Sequence, residues 1–224
     1  MRSIFSDKAT AVIRAMLSEP DRKWTVRDFE KEFGISKSRA AAVLSVLRKK
    51  GYVGGVSAGR SAHSTLTDKK VLIEEWVKFY NFDFNKVHLY YFHQENILSE
   101  VRKYFEENGL SDNYALTLHT GSNFITNYVN TQSIYCYLNV KDFNKISLDL
   151  RQRLNLKELK KGGNFFLVEP YYKHTVFFNK MCIKGYEVVS YLQLYLDLIN
   201  FPQRGREHAE YLLKVLQEKG ESFV

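Results

Sequence analysis

Two groups of residues in this chain have types and spacing that could do chemistry. The first is basic and polar: Lys37, Ser38, Arg39, Ser45, Arg48 and Lys49, followed by Arg60 and His63. On a helix, Lys37, Ser38, Ala41, Ser45 and Arg48 share a face that is small in the middle and basic at its ends. Such a face fits a DNA major groove, where Lys and Arg reach phosphates or guanine edges. An arginine on a neighbouring turn, here Arg60 with His63 beside it, enters the minor groove or grips the backbone.

The second group is the turn "TGSNF" (120–124), where a strand pattern passes into a helical one. Backbone N–H groups at a Gly-Ser turn can cradle a phosphate. The same residues also read as an ordinary turn. Nucleotidyl transfer there would need two carboxylates on the next strand to hold metal ions. That strand, "SIYCYLNV" (133–140), carries none, and Asp142 beyond it has no partner at the alternate position. His63, His88, His93, His119, His174 and His208 show no metal-ligand spacing. A nucleophile elbow, a P-loop and a dinucleotide fingerprint are all missing. Cys136 and Cys182 form no CxxC pair and read as buried thiols of a reducing cytosol. The expectation is a protein with no catalytic residue, no metal and no cofactor.

Charge placement separates the two groups. Residues 1–70 hold 15 Lys and Arg against 7 Asp and Glu, while the remaining 18 and 18 cancel, so the whole net charge of +8 sits in the first third. This is the footprint of a module that meets a polyanion, joined to one that does not. A solvated basic face has the same composition. Hydrophobic residues make up 45% of the chain, enough for a packed core. The opening "MRSIFSDKATAVIRAML" is interrupted by Asp7, Lys8 and Arg14 and does not read as a signal peptide. No stretch has 18 uninterrupted apolar residues, so no membrane span is expected and the protein should be cytoplasmic.

The elements that would position the basic group follow in order. Ser6 precedes a helical stripe of Ala9, Val12, Ile13, Met16 and Leu17 that Pro20 stops. Thr25 and Asp28 form a capping-box pattern, and Gly34 can close that helix in a left-handed conformation. Ser36 opens a third helix whose buried face is Ala40, Val43, Leu44 and Leu47, ending at Gly51. Tyr52 to Val56 and Ala62 to Leu66 read as two strands joined at Ser57–Arg60. Over about residues 6–70 the chain resembles the winged helix-turn-helix family, which implies DNA binding or, alternatively, protein contacts. "TDKKVLIEEWVKFY" (67–80) predicts a linker helix capped by Thr67, with a stripe of Val71, Leu72, Trp76, Phe79 and Tyr80 for a dimer contact or a domain junction.

The remainder alternates helix and strand signals. Helices are predicted over 95–109, 122–130 and 143–163, with two more closing the chain. Strands or extended pieces are predicted over 113–120, 133–140, 164–170, 174–180 and 184–190. The fold class is therefore α+β: a winged helix-turn-helix domain over 1–80, then a mixed α/β domain over 81–224. The "TGSNF" turn is similar to that of the nucleotidyltransferase fold, which would here be degenerate, its metal carboxylates lost.

The closing block is the most specific. "QLYLDL" (193–198), Pro202 and "RGREHAEYL" (204–212), with the winged helix and the "YALT" strand before a glycine turn, resemble the AbiEi family of type IV toxin–antitoxin antitoxin regulators. That resemblance implies a transcriptional regulator that binds the double-stranded operator of its own operon. The operator would be an inverted repeat, occupied by a dimer or by cooperating monomers. It also implies a nucleotidyltransferase-like toxin as a partner that need not form a stable complex. Two alternatives remain: a nucleotidyltransferase-like enzyme carrying a winged helix, or a ligand-sensing regulator.

The block also has a physical reading. Leu192, Tyr195, Leu196 and Ile199 can bury one face. Asp197 lies near a helix end, where a carboxylate is disfavoured unless paired, and Arg204 and Arg206 beyond the turn are its natural partners. A buried tie to one of them would set the angle between two helices. A partner-contact surface made of Tyr195, Asp197, Arg204 and Arg206 is the other reading.

Overall fold

The computed structural model describes residues 3–223 and divides into two compact units. One runs to Tyr80 and includes Phe223; the other spans Asn81–Ser222.

The first unit begins with helices α1 (Asp7–Ser18), α2 (Val26–Phe33) and α3 (Lys37–Lys49). The α2 capping box forms as its sequence predicts. Asp28 donates its backbone N–H to Thr25 Oγ1 at 3.3 Å, and Thr25 donates its own to Asp28 Oδ2 at 2.7 Å. Gly34 closes α2 at φ +64°. Two short strands follow, β1 (Val53–Gly54) and β2 (Thr65–Leu66), paired antiparallel. The hairpin is pinned to the segment ahead of α2 by reciprocal Trp24–Ser64 backbone bonds of 2.8 and 2.7 Å. Helix α4 (Lys69–Phe79) closes the unit. Its cap is Asp68, which accepts from Val71 N at 3.0 Å; Thr67, the expected cap, instead donates to the Gly51 carbonyl at 2.7 Å. The buried stripe of α4 is Leu72, Ile73 and Trp76, with Val71 exposed. Val12, Ile13, Ala15, Met16, Trp24, Phe29, Ala40, Leu47, Leu72 and Trp76 are among the fully buried residues of this unit.

The second unit is built on a seven-stranded mixed sheet. Its elements in chain order are β3 (Lys86–Tyr91), α5 (Ile97–Glu107), β4 (Tyr114–Leu116), α6 (Leu118–Ser122) and β5 (Ile134–Leu138). Then come α7 (Phe143–Arg153), β6 (Lys157–Leu159), β7 (Phe165–Glu169), β8 (Met181–Ile183), β9 (Tyr186–Val188), α8 (Tyr191–Ile199) and α9 (Gly205–Glu218). The strand order is β6-β3-β7-β5-β4-β9-β8, with β5–β7 and β4–β9 parallel and the other pairs antiparallel.

Several local expectations are corrected here. The strand expected over 113–120 ends at Leu116, because Leu118 turns to φ +49° and starts α6. A bulky residue in the left-handed region costs about 1 kcal/mol or more, so only its complete burial among neighbours explains it. The helix expected over 122–130 is therefore displaced to 118–122. The helix expected over 143–163 stops at Arg153, after which Asn155 at φ +49° leads the chain into β6. Residues 174–180 form successive turns, in which Thr175 and Val176 donate to the Tyr172 carbonyl and Phe178 to that of Thr175. Strand β8 was not expected, and it leaves Cys182 exposed; only Cys136 is a buried thiol. Among the described residues, no helix is long and apolar enough to cross a membrane.

Candidate nucleic-acid interface

Helix α3 buries Ala40, Val43, Leu44 and Leu47 and presents the opposite side to solvent. The exposed strip runs through Ser38, Ala41, Ala42, Ser45 and Lys49. No side chain along its middle is larger than serine, so the helix backbone can approach a groove closely. Arg39 is exposed on the flank facing the start of α1, where it lines a shallow groove with Ser6, Asp7, Lys8, Ala42 and Val46. Lys37 forms an exposed ion pair with Glu30 of α2 at 3.0 Å.

Arg48 does something different from what its spacing suggests. It is half-buried on the flank facing the hairpin and donates to Ser64 Oγ at 2.8 Å. Expected to face solvent as a groove residue, it ties α3 to the hairpin. Its position fixes where the hairpin lies relative to the exposed strip of α3. Arg60 follows Gly59 in the connecting loop and is exposed, as the charge reading expected. His63 lies on the return arm; its N–H donates to the Val56 carbonyl at 2.9 Å, and its ring Nδ1 bonds the Ser61 carbonyl at 2.8 Å. Exposed among the basic and polar group are therefore Lys37, Ser38, Arg39, Ser45 and Lys49 on the helix and Arg60 on the loop.

The C-terminal block lies in the second unit and is mostly interior. Helix α8 buries Leu192, Gln193, Leu194, Leu196, Asp197, Leu198 and Ile199, so it is a central helix and Asp197 is wholly enclosed. Its carboxylate accepts from Thr117 Oγ1 at 2.5 Å, from the Tyr137 hydroxyl at 3.1 Å and from Gln193 Nε2 at 2.7 Å. The expected arginine tie is not how this carboxylate is held. Arg204 bonds Glu207 at 2.8 Å, with both side chains more than half exposed, and Arg206 is exposed on α9. Tyr195 is half-buried. Gln203 and Arg204 both take left-handed φ, of +60° and +69°. A Cβ on Gly205 would fall 2.4 Å from the Leu198 carbonyl oxygen, so the α8–α9 turn requires glycine there.

The histidines His119 and His208 complete this packing, and spacing alone did not bring them together. Their rings stack at 5.1 Å and 6°, with the Nδ1 atoms 2.8 Å apart. His119 Nε2 reaches the Gln203 carbonyl at 3.1 Å and His208 Nε2 reaches Thr126 Oγ1 at 2.8 Å. Burial lowers the pKa of both rings. His208 falls to about 4, with the neighbouring His119 and Arg204 adding to the effect.

The glycine-serine turn has a packing role. A Cβ on Gly121 would lie 2.8 Å from Leu194 Cδ2 and 2.9 Å from the Leu116 carbonyl, so this glycine lets α6 press against α8 and the end of β4. Asp142 caps α7, accepting from Lys145 N at 3.1 Å. Among the described residues, no three His, Cys, Asp or Glu side chains cluster closely enough to hold a metal ion.

A family model described as "Transcriptional regulator, AbiEi antitoxin, Type IV TA system" matches residues 65–217. The match takes in β2, α4 and the second unit up to the penultimate residue of α9. No curated protein and no solved structure matches the chain.

Proposed function

The chain belongs to the family of AbiEi antitoxin transcriptional regulators of type IV toxin–antitoxin systems, and on that premise we propose that its first unit is a winged helix-turn-helix that binds double-stranded operator DNA. One observation carries the reading. The unit whose first 70 residues hold the whole basic excess also presents a solvent-facing helix strip of serines and alanines, edged by Arg39 and Lys49, and an exposed arginine, Arg60, in its hairpin loop. In this reading α3 enters the major groove. Ser38 and Ser45 approach base edges, Arg39 and Lys49 hold phosphates or guanine, and Arg60 takes the backbone or the minor groove.

The finer functional assignment is an autoregulating antitoxin without catalytic activity. It would sit on an inverted repeat in its own operon, as a dimer or as cooperating monomers, in the cytoplasm. It would oppose a nucleotidyltransferase-like toxin without needing a stable complex with it. The supporting arguments are the family membership and the roles of Gly121 and Asp142 in packing and capping. The test is binding of the full-length protein to the DNA upstream of its own gene, measured by fluorescence anisotropy against a scrambled duplex over a range of salt. Preference for the upstream DNA, with affinity falling steeply as salt rises, is the expected result. Equal affinity for both duplexes would overturn operator binding.

A further inference from the structure

The second unit contains a cleft that the regulatory reading leaves without a role. It has a volume of about 1090 Å³ and lies across the ends of the central strands. That is slightly above the usual range for small-molecule sites, roughly 300–1,000 Å³. One end is formed by Tyr91, the last residue of β3, and His93 just past it, with rings 5.8 Å apart. The other is formed by Phe124 and Tyr186, with rings 5.1 Å apart. Between β3 and β9 the sheet order places β7, β5 and β4. At about 4.8 Å per strand the two ring pairs stand roughly 19 Å apart.

The walls are held by side chains bonded to backbone. Asn164 accepts from Phe92 N and donates to the Phe92 carbonyl, both at 2.8 Å, fixing the chain after β3 has ended. A Cβ on Gly163 would meet the Tyr90 carbonyl oxygen at 2.5 Å, so the 163–164 backbone runs tight against that strand. Thr120 Oγ1 donates to the Ser133 carbonyl at 3.1 Å and accepts from Tyr135 N at 3.0 Å. Asn123 folds the next turn, donating to the Val129 carbonyl at 2.6 Å. In contrast, Gln94, Gln132 and Lys184 make no side-chain hydrogen bond or ion pair among the described residues. The frame is held by these bonds, and the groups left free on it are two carboxamides, one ammonium, the Glu95 carboxylate and an exposed tyrosine ring.

We propose that this cleft binds a free nucleotide, its base stacked at the Tyr91–His93 end and its phosphate toward Lys184. Each part of the assignment has its own reason. Tyr91 is 45% exposed, and a large ring left open at a cleft mouth is a stacking platform for a planar heterocycle. Carboxamides both donate and accept, and so match the mixed edge of a nucleobase better than a hydrocarbon ligand. Lys184, at the end away from Tyr91, supplies the point charge a terminal phosphate needs. A nucleic-acid strand fits less well. The lining holds one lysine and one carboxylate, Glu95, whereas a groove that tracks a phosphate backbone needs several cations.

The test is calorimetric titration of the full-length protein with the four nucleoside mono- and triphosphates, and with a short single-stranded oligothymidylate as competitor. Saturable binding of at least one nucleotide is expected at or below about 1 mM. It should weaken about tenfold in Tyr91→Leu and persist in Tyr91→Phe, because stacking is worth that much and needs only the ring. Lys184→Met should weaken triphosphate binding and leave the free nucleoside unaffected. All three substitutions are at exposed positions, so circular dichroism should show an unchanged fold. No saturable nucleotide binding, binding indifferent to Tyr91→Leu, or tighter binding of the oligonucleotide at the same site would each overturn the proposal.

Discussion

His119 and His208 meet Nδ1 to Nδ1 at 2.8 Å inside the second unit, in a chain of hydrogen bonds that is one proton short. The chain of hydrogen bonds runs from the Gln203 carbonyl through His119, His208 and Thr126 Oγ1 to the Ser122 carbonyl. Both ends are pure acceptors, so the four links need four protons. Two neutral imidazoles and one hydroxyl supply three. One added proton would complete the chain, but burial and the cation of Arg204 oppose it, and burial wins.

The consequence is a pH-dependent stability. His208 titrates at about 4 when folded, and near its ordinary 6.5 when unfolded. The unfolded state therefore binds more protons between those values. Stability is fully present above pH 6.5 and is lost as the pH falls towards 4, by an amount on the order of 2–3 kcal/mol. Thermal unfolding recorded from pH 7.5 to 4 should show a falling melting temperature in that window, with a shallower fall in His208→Gln. Identical slopes in the two proteins would show that the pair is not responsible.

Asp197 and Arg204 should behave oppositely on truncation. Asp197→Ala removes the buried acceptor shared by the Thr117 and Tyr137 hydroxyls and the Gln193 amide, at about 1–3 kcal/mol for each buried hydrogen bond broken. A loss of roughly 3 kcal/mol or more is expected by urea unfolding. Arg204→Ala removes an exposed pair with Glu207 and an exposed contact over the Tyr128 ring at 5.4 Å, and should cost about 1 kcal/mol or less. Comparable small losses in both variants would refute the buried role of Asp197.

Arg39 and Arg48 are separated in the same way, on the DNA side. Arg39→Ala should leave thermal stability unchanged and weaken DNA binding by about 1–3 kcal/mol if it reads a base, or flatten the salt dependence by about one unit if it holds a phosphate. Arg48→Ala removes the bond to Ser64 and leaves the hairpin held by its Trp24–Ser64 backbone bonds without the tie to α3, so it should lower the melting temperature of the first unit as well as DNA affinity. If Arg48→Ala melts like the wild type while DNA binding falls, Arg48 is itself a contact residue and the hairpin tie is dispensable.

What could be read in advance follows the range of the interactions. The Thr25–Asp28 capping box, the left-handed Gly34 and the buried stripe of α3 depend on residues within a turn or two of one another, and sequence spacing encodes them directly. The separation of a basic first third from a neutral remainder is read from composition, and the basic residues 1–70 fall within the unit that runs to Tyr80. The carboxylate of Asp197 in an apolar helix announced a buried partner, because a charge is not enclosed without one.

Which partner it found was a matter for the tertiary structure alone. Thr117 and Tyr137 lie 80 and 60 residues away, on segments that only sheet pairing brings beneath α8, whereas the nearer arginines were drawn to water. Arg48 was assigned to the groove by its helical phase, but it sits on the flank where the hairpin returns, and Ser64 claimed it. Leu118 continued the strand alternation of 113–120, yet burial on every side outweighed the cost of its left-handed backbone and ended the strand two residues earlier. In each case short-range preference is worth about a kilocalorie, and contacts made across the fold are worth more.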